Sequence, residues 1–138
     1  MNQESCVQLL AGHGVRPTSN RIVVVRALAT SAHPLTLSEM EQRILSIDKS
    51  GIFRALTLFR EHHLVHTIDD GNGALRYELC HSHNGDEDDD LHVHFFCERC
   101  QRVFCLDGVP VPQVAVPPGF AASSASHIVK GLCPECSS

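Results

Sequence analysis

The residues that could do chemistry in this chain are concentrated in its second half. Residues 92–100 read HVHFFCERC and residues 133–136 read CPEC. A Cys-x-x-Cys pair presents two thiolates to one ion, so two such pairs complete the four sulfur ligands of a tetrahedral zinc site. The pattern therefore predicts a structural Zn(II) site made by Cys97, Cys100, Cys133 and Cys136. A redox-active cysteine pair and an iron–sulfur site are the alternatives.

If the four thiolates bind one zinc ion, the two histidines before the first Cys-x-x-Cys pair are available for a second metal site. His92 and His94 are two residues apart, and such positions on a strand share a face, so both imidazoles can converge on one ion. The alternative is an ordinary polar strand face. The nine-residue stretch is thus predicted to contribute to two sites, a closed structural one and an open one that responds to metal supply.

Length and composition restrict the class of protein. The 138 residues suit one medium domain or two small ones. The chain has no apolar run of about 18 residues, and its start, MNQESCVQLL, is not that of a secretory signal. We therefore expect a cytoplasmic protein. Seven cysteines in that reducing compartment favour thiols or metal ligands over disulfides.

Charge is divided unevenly along the chain, whose net charge is −5. Residues 1–66 hold seven Lys/Arg and five Asp/Glu, a net charge of +2, whereas residues 67–138 hold four and eleven, a net charge of −7. Five of these acids form the block DEDDD at 86–90, which is typical of a solvated loop. Nucleic-acid binding therefore remains open for the first half only.

The first half is predicted to contain short helices followed by a β-hairpin. One helix ends near Gly12, and the next begins at Pro17 and Thr18. A third opens with Ser38 and Glu41 in capping-box spacing. Its predicted apolar face consists of Met40, Ile44 and Leu45.

A fourth helix is the one we expect to carry DNA contacts. Asp48 or Ser50 can cap it, and its apolar stripe is Ile52, Leu56 and Phe59. The alternating segment VHTIDDGNGALRYEL then predicts a hairpin. Together these elements outline a winged helix-turn-helix in which residues 50–62 enter the major groove.

Side chains near the start of this helix and near the start of the second helix are the predicted DNA contacts. Lys49, Ser50 and Arg54 lie at its start, while Arg16 and Arg21 flank the start of the second helix and could hold phosphates. Arg60 lies near the end of the recognition helix. The alternative for each residue is an ordinary surface charge.

Six ordered landmarks resemble the ferric uptake regulator family of metal-dependent repressors, which includes zinc, manganese and peroxide-sensing branches. They are GVRPTSNR, HPLTLSEM, GIFRALTLFREHHLV, GALRYEL, HVHFFCERC and GLCPEC. The resemblance implies an α+β fold: a winged-helix DNA-binding domain at 1–79, an acidic hinge at 80–90 and a small α/β dimerisation domain with the four-cysteine zinc site at 91–138. It also implies a homodimer that binds a palindromic operator, and a regulatory metal at the hinge.

Carried over by motif, the regulatory site would use His33 from AHPL, Glu78 from RYEL, and His92 with His94. This set suits Fe(II) as well as Zn(II). Cys80 falls where zinc-sensing relatives often place a thiolate. With Cys80 and an acid from the hairpin, Asp69 or Asp70, the set would favour Zn(II).

Each of these assignments has a simpler alternative. His33 could merely end a helix, Glu78 could be an exposed strand residue, and Cys80 could be an idle thiol. Idle thiols are also what we expect of Cys6 and Cys105. We expect His62, His63 and His66 to face solvent or pack beside the wing.

The chain departs from the family pattern at several places, and two of them concern the predicted elements. Phe53 stands where the family commonly has tyrosine, which removes a phenolic hydrogen bond but keeps possible contact with a thymine methyl. The segment GVPVPQVAVPPGF has four prolines where relatives often carry a helix. We expect an extended connection there.

The sequence as a whole predicts a metal-responsive repressor without enzymatic activity. One alternative is a metal- or haem-binding protein that does not bind DNA. Another is a zinc hydrolase built on His92 and His94. The chain lacks a glycine-rich phosphate loop, a His-Glu-x-x-His helix and a nucleophile elbow, which disfavours the hydrolase.

Overall fold

A computed structural model describes residues 2–69, 73–79, 93–106, 109–122 and 127–138. The chain divides into two compact units, residues 1–89 and 90–138. Several predicted features lie outside the described residues: Asp70, Cys80, His92 and the acidic block at 86–90.

The first unit is built from helices and one small sheet. Its elements are α1 (Gln3–Gly12), α2 (Ser19–Thr30), β1 (Leu35–Thr36), α3 (Leu37–Arg43), α4 (Lys49–Glu61), β2 (Val65–Asp69) and β3 (Leu75–Leu79). The sheet has the order β1-β3-β2, and both pairings are antiparallel. This arrangement confirms the predicted winged helix-turn-helix with its terminal hairpin.

Side-chain caps fix where α2 and α4 begin. The Thr18 hydroxyl accepts from the Arg21 amide at 3.3 Å, and the Asp48 carboxylate accepts from the Gly51 amide at 2.9 Å. A Cβ atom at Gly51 would lie only 2.6 Å from Cγ2 of Ile47. Only glycine therefore fits at this close approach in the first turn of α4.

The predicted start and apolar face of the third helix were partly wrong. The capping box joins Thr36 and Glu39, not Ser38 and Glu41: the Thr36 amide donates to Glu39 Oε1 at 2.8 Å, and the Glu39 amide donates to Thr36 Oγ1 at 3.1 Å. Thr36 is available as the cap because its strand pairing keeps the chain extended up to that residue.

The end of α3 explains the second error. The helix ends at Arg43, and the chain leaves helical geometry at Ile44, so helical periodicity no longer applies to Leu45. Ile44 is buried, as expected, but Leu45 is 91% exposed.

The core of the first unit forms between the helices and the hairpin. The predicted stripe of Ile52, Leu56 and Phe59 is fully buried. Cys6 of α1 belongs to the same core, where it behaves as a small apolar side chain. One face of α4 is thereby anchored, so its opposite face points to solvent.

The second unit is a three-stranded sheet closed by one helical turn. Its elements are β4 (Val93–Cys97), β5 (Val103–Leu106), β6 (His127–Gly131) and α5 (Pro134–Ser137). The order is β5-β4-β6, with β4 antiparallel to β5 and parallel to β6. The described residues 109–122 contain neither helix nor strand, as the prolines predicted. Among the described residues, none of the helices has the length and apolar character needed to traverse a lipid bilayer.

Candidate metal centre and nucleic-acid interface

The four cysteines of the two Cys-x-x-Cys pairs lie together in the second unit. All four sulfur atoms are within 4.8 Å of one another, and Sγ of Cys100 is 3.9 Å from Sγ of Cys133. With Zn–S bonds of about 2.3 Å, the sulfurs of a tetrahedral zinc site are about 3.8 Å apart. A disulfide requires about 2.05 Å, and these cysteines are free. The donor set and its spacing fit one zinc ion.

Strand pairing brings the two pairs together across the intervening chain. Cys97 ends β4 and lies opposite Gly131 of β6, two residues before Cys133. The first pair is held in a tight turn in which the Gln101 amide donates to the Cys97 carbonyl at 2.8 Å. Gln101 adopts φ of +62° to close this turn. The site is therefore shaped by backbone geometry as well as by the sulfurs.

Hydrogen bonds to the sulfurs change the pKa values of the cysteine thiols in different directions. Burial alone would raise the pKa of Cys97, but backbone donors at Cys100, Cys133 and Arg99 outweigh it and lower that pKa to about 5. The pKa of Cys100 is lowered chiefly by the hydrogen bond from the Arg102 side chain. The pKa of Cys136 is raised to about 12, first because of its hydrogen bond with Cys133. Two of the sulfurs are thus favoured as thiolates.

Two arginines that the sequence analysis did not single out surround this cluster. Nε of Arg102 donates to Sγ of Cys100 at 3.2 Å, and its Nη2 donates to Glu135 at 3.0 Å. Arg99 instead donates to the backbone carbonyl of Cys136 at 3.2 Å. Arg99 lies within the first pair in sequence and Arg102 lies two residues after it, but nothing in this spacing indicates which of them contacts sulfur.

A second pair of ligand-type side chains lies in the wing of the first unit. Nε2 of His66 is 2.9 Å from Oε1 of Glu78, and His66 is only 5% exposed. Of the two positions expected for His66, a solvent-facing one is wrong, because His66 is a buried residue of β2. Counting across the hairpin could have found the pair, since His66 lies directly opposite Glu78 in the register.

The remaining predicted ligands are distributed over both units. His33 lies in the connection between α2 and β1. Leu35 of β1 pairs with Tyr77 of β3, the residue before Glu78. Asp69 is three residues from His66 along β2, about 10 Å away and on the opposite face of the strand. The structure therefore does not bring Asp69 to the His66–Glu78 pair. His94 is a buried residue of β4 opposite Cys105 of β5.

The solvent face of α4 carries the predicted DNA contacts. Lys49, Ser50 and Arg54 are exposed, and Phe53 is 51% exposed despite its aromatic ring. A cleft of about 290 Å³ separates this helix from the start of α2, and Arg21 and Arg54 both line it. The guanidinium of Arg21 donates to the carbonyl of Arg16 at 3.0 Å. This face thus combines cations with an exposed aromatic ring.

The solved structures that the chain is similar to include uptake regulators for iron and zinc. A zinc uptake regulator complexed with zinc and DNA is 22% identical, with a TM-score of 0.68 over 98% of this chain and 92% of that one. The structure of holo XcZur is 19% identical, with a TM-score of 0.67 over 98% and 96%. The Helicobacter pylori ferric uptake regulator, described with three functional metal binding sites, is 18% identical, with a TM-score of 0.61 over 100% and 95%.

Sequence comparison points the same way. No curated protein matches the chain, but the model of the ferric uptake regulator family matches residues 12–114, which is more than half of the sequence. This match and the shared fold confirm the resemblance seen in the sequence motifs. The chain therefore belongs to the ferric uptake regulator family of metal-responsive transcriptional regulators.

Proposed function

We propose that the protein is a homodimeric, metal-dependent repressor that acts in the cytoplasm on genes of metal uptake and has no enzymatic activity. The observation that carries this proposal is the solvent face of α4, where Phe53 and Arg54 are exposed on a helix whose other face is anchored in the core. A large aromatic ring left half in solvent beside a cation is the chemistry expected of a base-reading surface.

The contacts with DNA follow from the types of these side chains. Arg54 can donate two parallel hydrogen bonds to O6 and N7 of a guanine, and Phe53 can pack on a thymine methyl. Ser50 and Lys49, at the start of the helix, lie where recognition helices approach the base edges. Arg16 and Arg21 would hold phosphates and so fix the register. A symmetric dimer implies a palindromic operator.

We propose that the four-cysteine cluster holds a structural zinc ion. The proposal is supported by sulfur–sulfur distances that fit a ZnS₄ tetrahedron. Apparent zinc-binding free energies of about 10–16 kcal/mol exceed what a unit of this size gains from its apolar core. Cys97, Cys100, Cys133 and Cys136 would therefore hold the second unit in its folded state.

The regulatory ion would bind through a separate set of residues. His66 joins the set because its imidazole nitrogen and the Glu78 carboxylate already lie 2.9 Å apart, and neighbouring ligands of a tetrahedral zinc ion are separated by about 3.3 Å. The sequence supplies His33, His92 and His94 as the further candidates. We propose Zn(II) as the sensed ion because Cys80 offers a thiolate, with Fe(II) second because the histidine and glutamate ligands also suit it.

Metal would control DNA binding by shifting a conformational equilibrium. His66, Glu78 and their partners must bind the ion more tightly in the DNA-competent state than in the other state. Each tenfold gain in DNA affinity requires about 1.4 kcal/mol of that difference.

Arg54→Ala should weaken operator binding by about 1–3 kcal/mol, because a bidentate base contact is lost. Arg60→Ala is the matched control, since Arg60 is also exposed but lies in the last turn of α4, away from the base edges. Fluorescence anisotropy of labelled operator DNA measures both variants, and metal content should not change in either. Equal affinity of Arg54→Ala and wild type would contradict the assignment of α4.

Cys133→Ser should lose the structural zinc and unfold the second unit, because it removes one of four ligands. Cys105→Ser should retain zinc, since Cys105 is a half-buried cysteine of the same unit that lies outside the cluster. Elemental analysis after gel filtration gives the zinc content, and thermal unfolding followed by circular dichroism gives the stability. A Cys133→Ser protein with a full complement of tightly held zinc would rule out the four-thiolate site.

His66→Gln tests the regulatory site, because glutamine can still donate to Glu78 but offers no imidazole. We expect about tenfold or more free metal to be needed for half-maximal DNA binding, with the fold and structural zinc unchanged. His63→Asn is the control: His63 is exposed at φ of +58°, a conformation that asparagine tolerates. Metal titrations that coincide for His66→Gln and wild type would remove His66 from the site.

A further inference from the structure

The two Cys-x-x-Cys pairs are connected through a sulfur contact by Arg102, which is not a ligand. Arg102 lies two residues after Cys100, and its Nε donates to the Cys100 sulfur at 3.2 Å. The same guanidinium donates through Nη2 to Glu135, which lies between Cys133 and Cys136, at 3.0 Å. It also lies 5.6 Å from the centre of the Phe104 ring. One planar group therefore contacts both pairs and rests on an aromatic face.

An ordinary surface ion pair does not account for this geometry. The Glu135 carboxylate is 80% exposed, so its attraction to Arg102 is strongly screened by water. The hydrogen bond to sulfur differs, because it joins a permanent cation to a thiolate whose lone pairs are otherwise available for reaction. Four thiolates around one Zn²⁺ carry a net charge of −2, and Arg102 is a cation in contact with one of these sulfurs.

We propose that Arg102 positions Cys100 and lowers its nucleophilicity in the metal-loaded site, so that Cys100 resists electrophiles and the metal ion leaves slowly. This inference rests on the proposed four-thiolate zinc site. A hydrogen bond from a cation withdraws electron density from the sulfur and occupies the approach of an incoming electrophile. The contact with Glu135 holds the guanidinium in the orientation that this requires, as partners of metal ligands commonly do.

Arg99 provides a matched control within the same turn. Its side chain is also a guanidinium beside the cluster, but it donates to the backbone carbonyl of Cys136 and not to a sulfur. Arg99→Gln therefore removes an equal charge at a similar position without removing a sulfur contact. Arg102→Lys retains the charge, but one ammonium group lacks the fork that reaches both Cys100 and Glu135.

The test is alkylation of the full-length, zinc-loaded protein with iodoacetamide. The attacking thiolate forms a carbon–sulfur bond as the carbon–iodine bond breaks, iodide leaves, and the ligand becomes a thioether. Mass spectrometry gives the rate at each cysteine, and a chromogenic chelator reports zinc release. In Arg102→Gln we expect Cys100 to react about tenfold faster and zinc to be released correspondingly faster. Arg99→Gln should change both rates by less than about twofold. The rates of Arg102→Lys should lie between those of Arg99→Gln and Arg102→Gln.

The cysteine at which the alkylation rate rises distinguishes a specific effect of Arg102 on Cys100 from a general loosening of the metal site. If Arg102 acts on Cys100, reactivity rises at Cys100 first and Cys136 stays near its wild-type rate, whereas a loosened site would react faster at all four cysteines together. Uniform acceleration, or no acceleration, would overturn the proposal. If Arg102→Gln does not fold, Arg102→Lys takes its place, and a Cys100 alkylation rate equal to that of the wild type in that variant would overturn the proposal. Absence of zinc from the wild-type protein would instead refute the proposed metal site itself.

Discussion

The second unit is arranged around four sulfur atoms that lie within 4.8 Å of one another. Among the described residues of this unit, the buried apolar side chains are Val93, Phe96 and Val103, and each contributes only about 1.5–3 kcal/mol by burial. Cys97, Cys133 and His94 are the other buried residues described there, so two of the four predicted zinc ligands belong to the buried interior. In the proposed function, zinc therefore supplies stability that apolar burial in a unit of this size does not.

The first unit, by contrast, has a larger apolar core, to which its helices and its hairpin both contribute. Helix α4 serves two purposes there: Ile52, Leu56 and Phe59 anchor it, and that anchoring leaves Phe53 and Arg54 on the opposite face. The Asp48 cap fixes where the helix begins, and Gly51 allows the close approach of Ile47 in its first turn. A side chain at the start of a rigid, capped helix is well placed to read bases, because little conformational entropy is lost on binding.

The sequence predicted the elements whose signals are local. The stripe on α4, the hairpin and the paired cysteines all follow from periodicity or spacing, and all are present. The sequence predicted the capping box at Ser38, but it begins at Thr36, because a strand pairing decides where α3 begins. His66 was missed because its partner is set by cross-strand register. Arg102 was missed because only the folded cluster distinguishes it from Arg99.

Metal-dependent DNA binding is the central claim, and one titration tests it most directly. Labelled DNA from upstream of the protein's own gene would be followed by fluorescence anisotropy in metal-buffered Zn(II), and separately in Fe(II) without oxygen, using protein that retains its structural zinc. The account predicts tight binding that appears with free metal and requires far less Zn(II) than Fe(II). DNA affinity that is the same with and without added metal, or no binding to this DNA at any metal concentration, would contradict it.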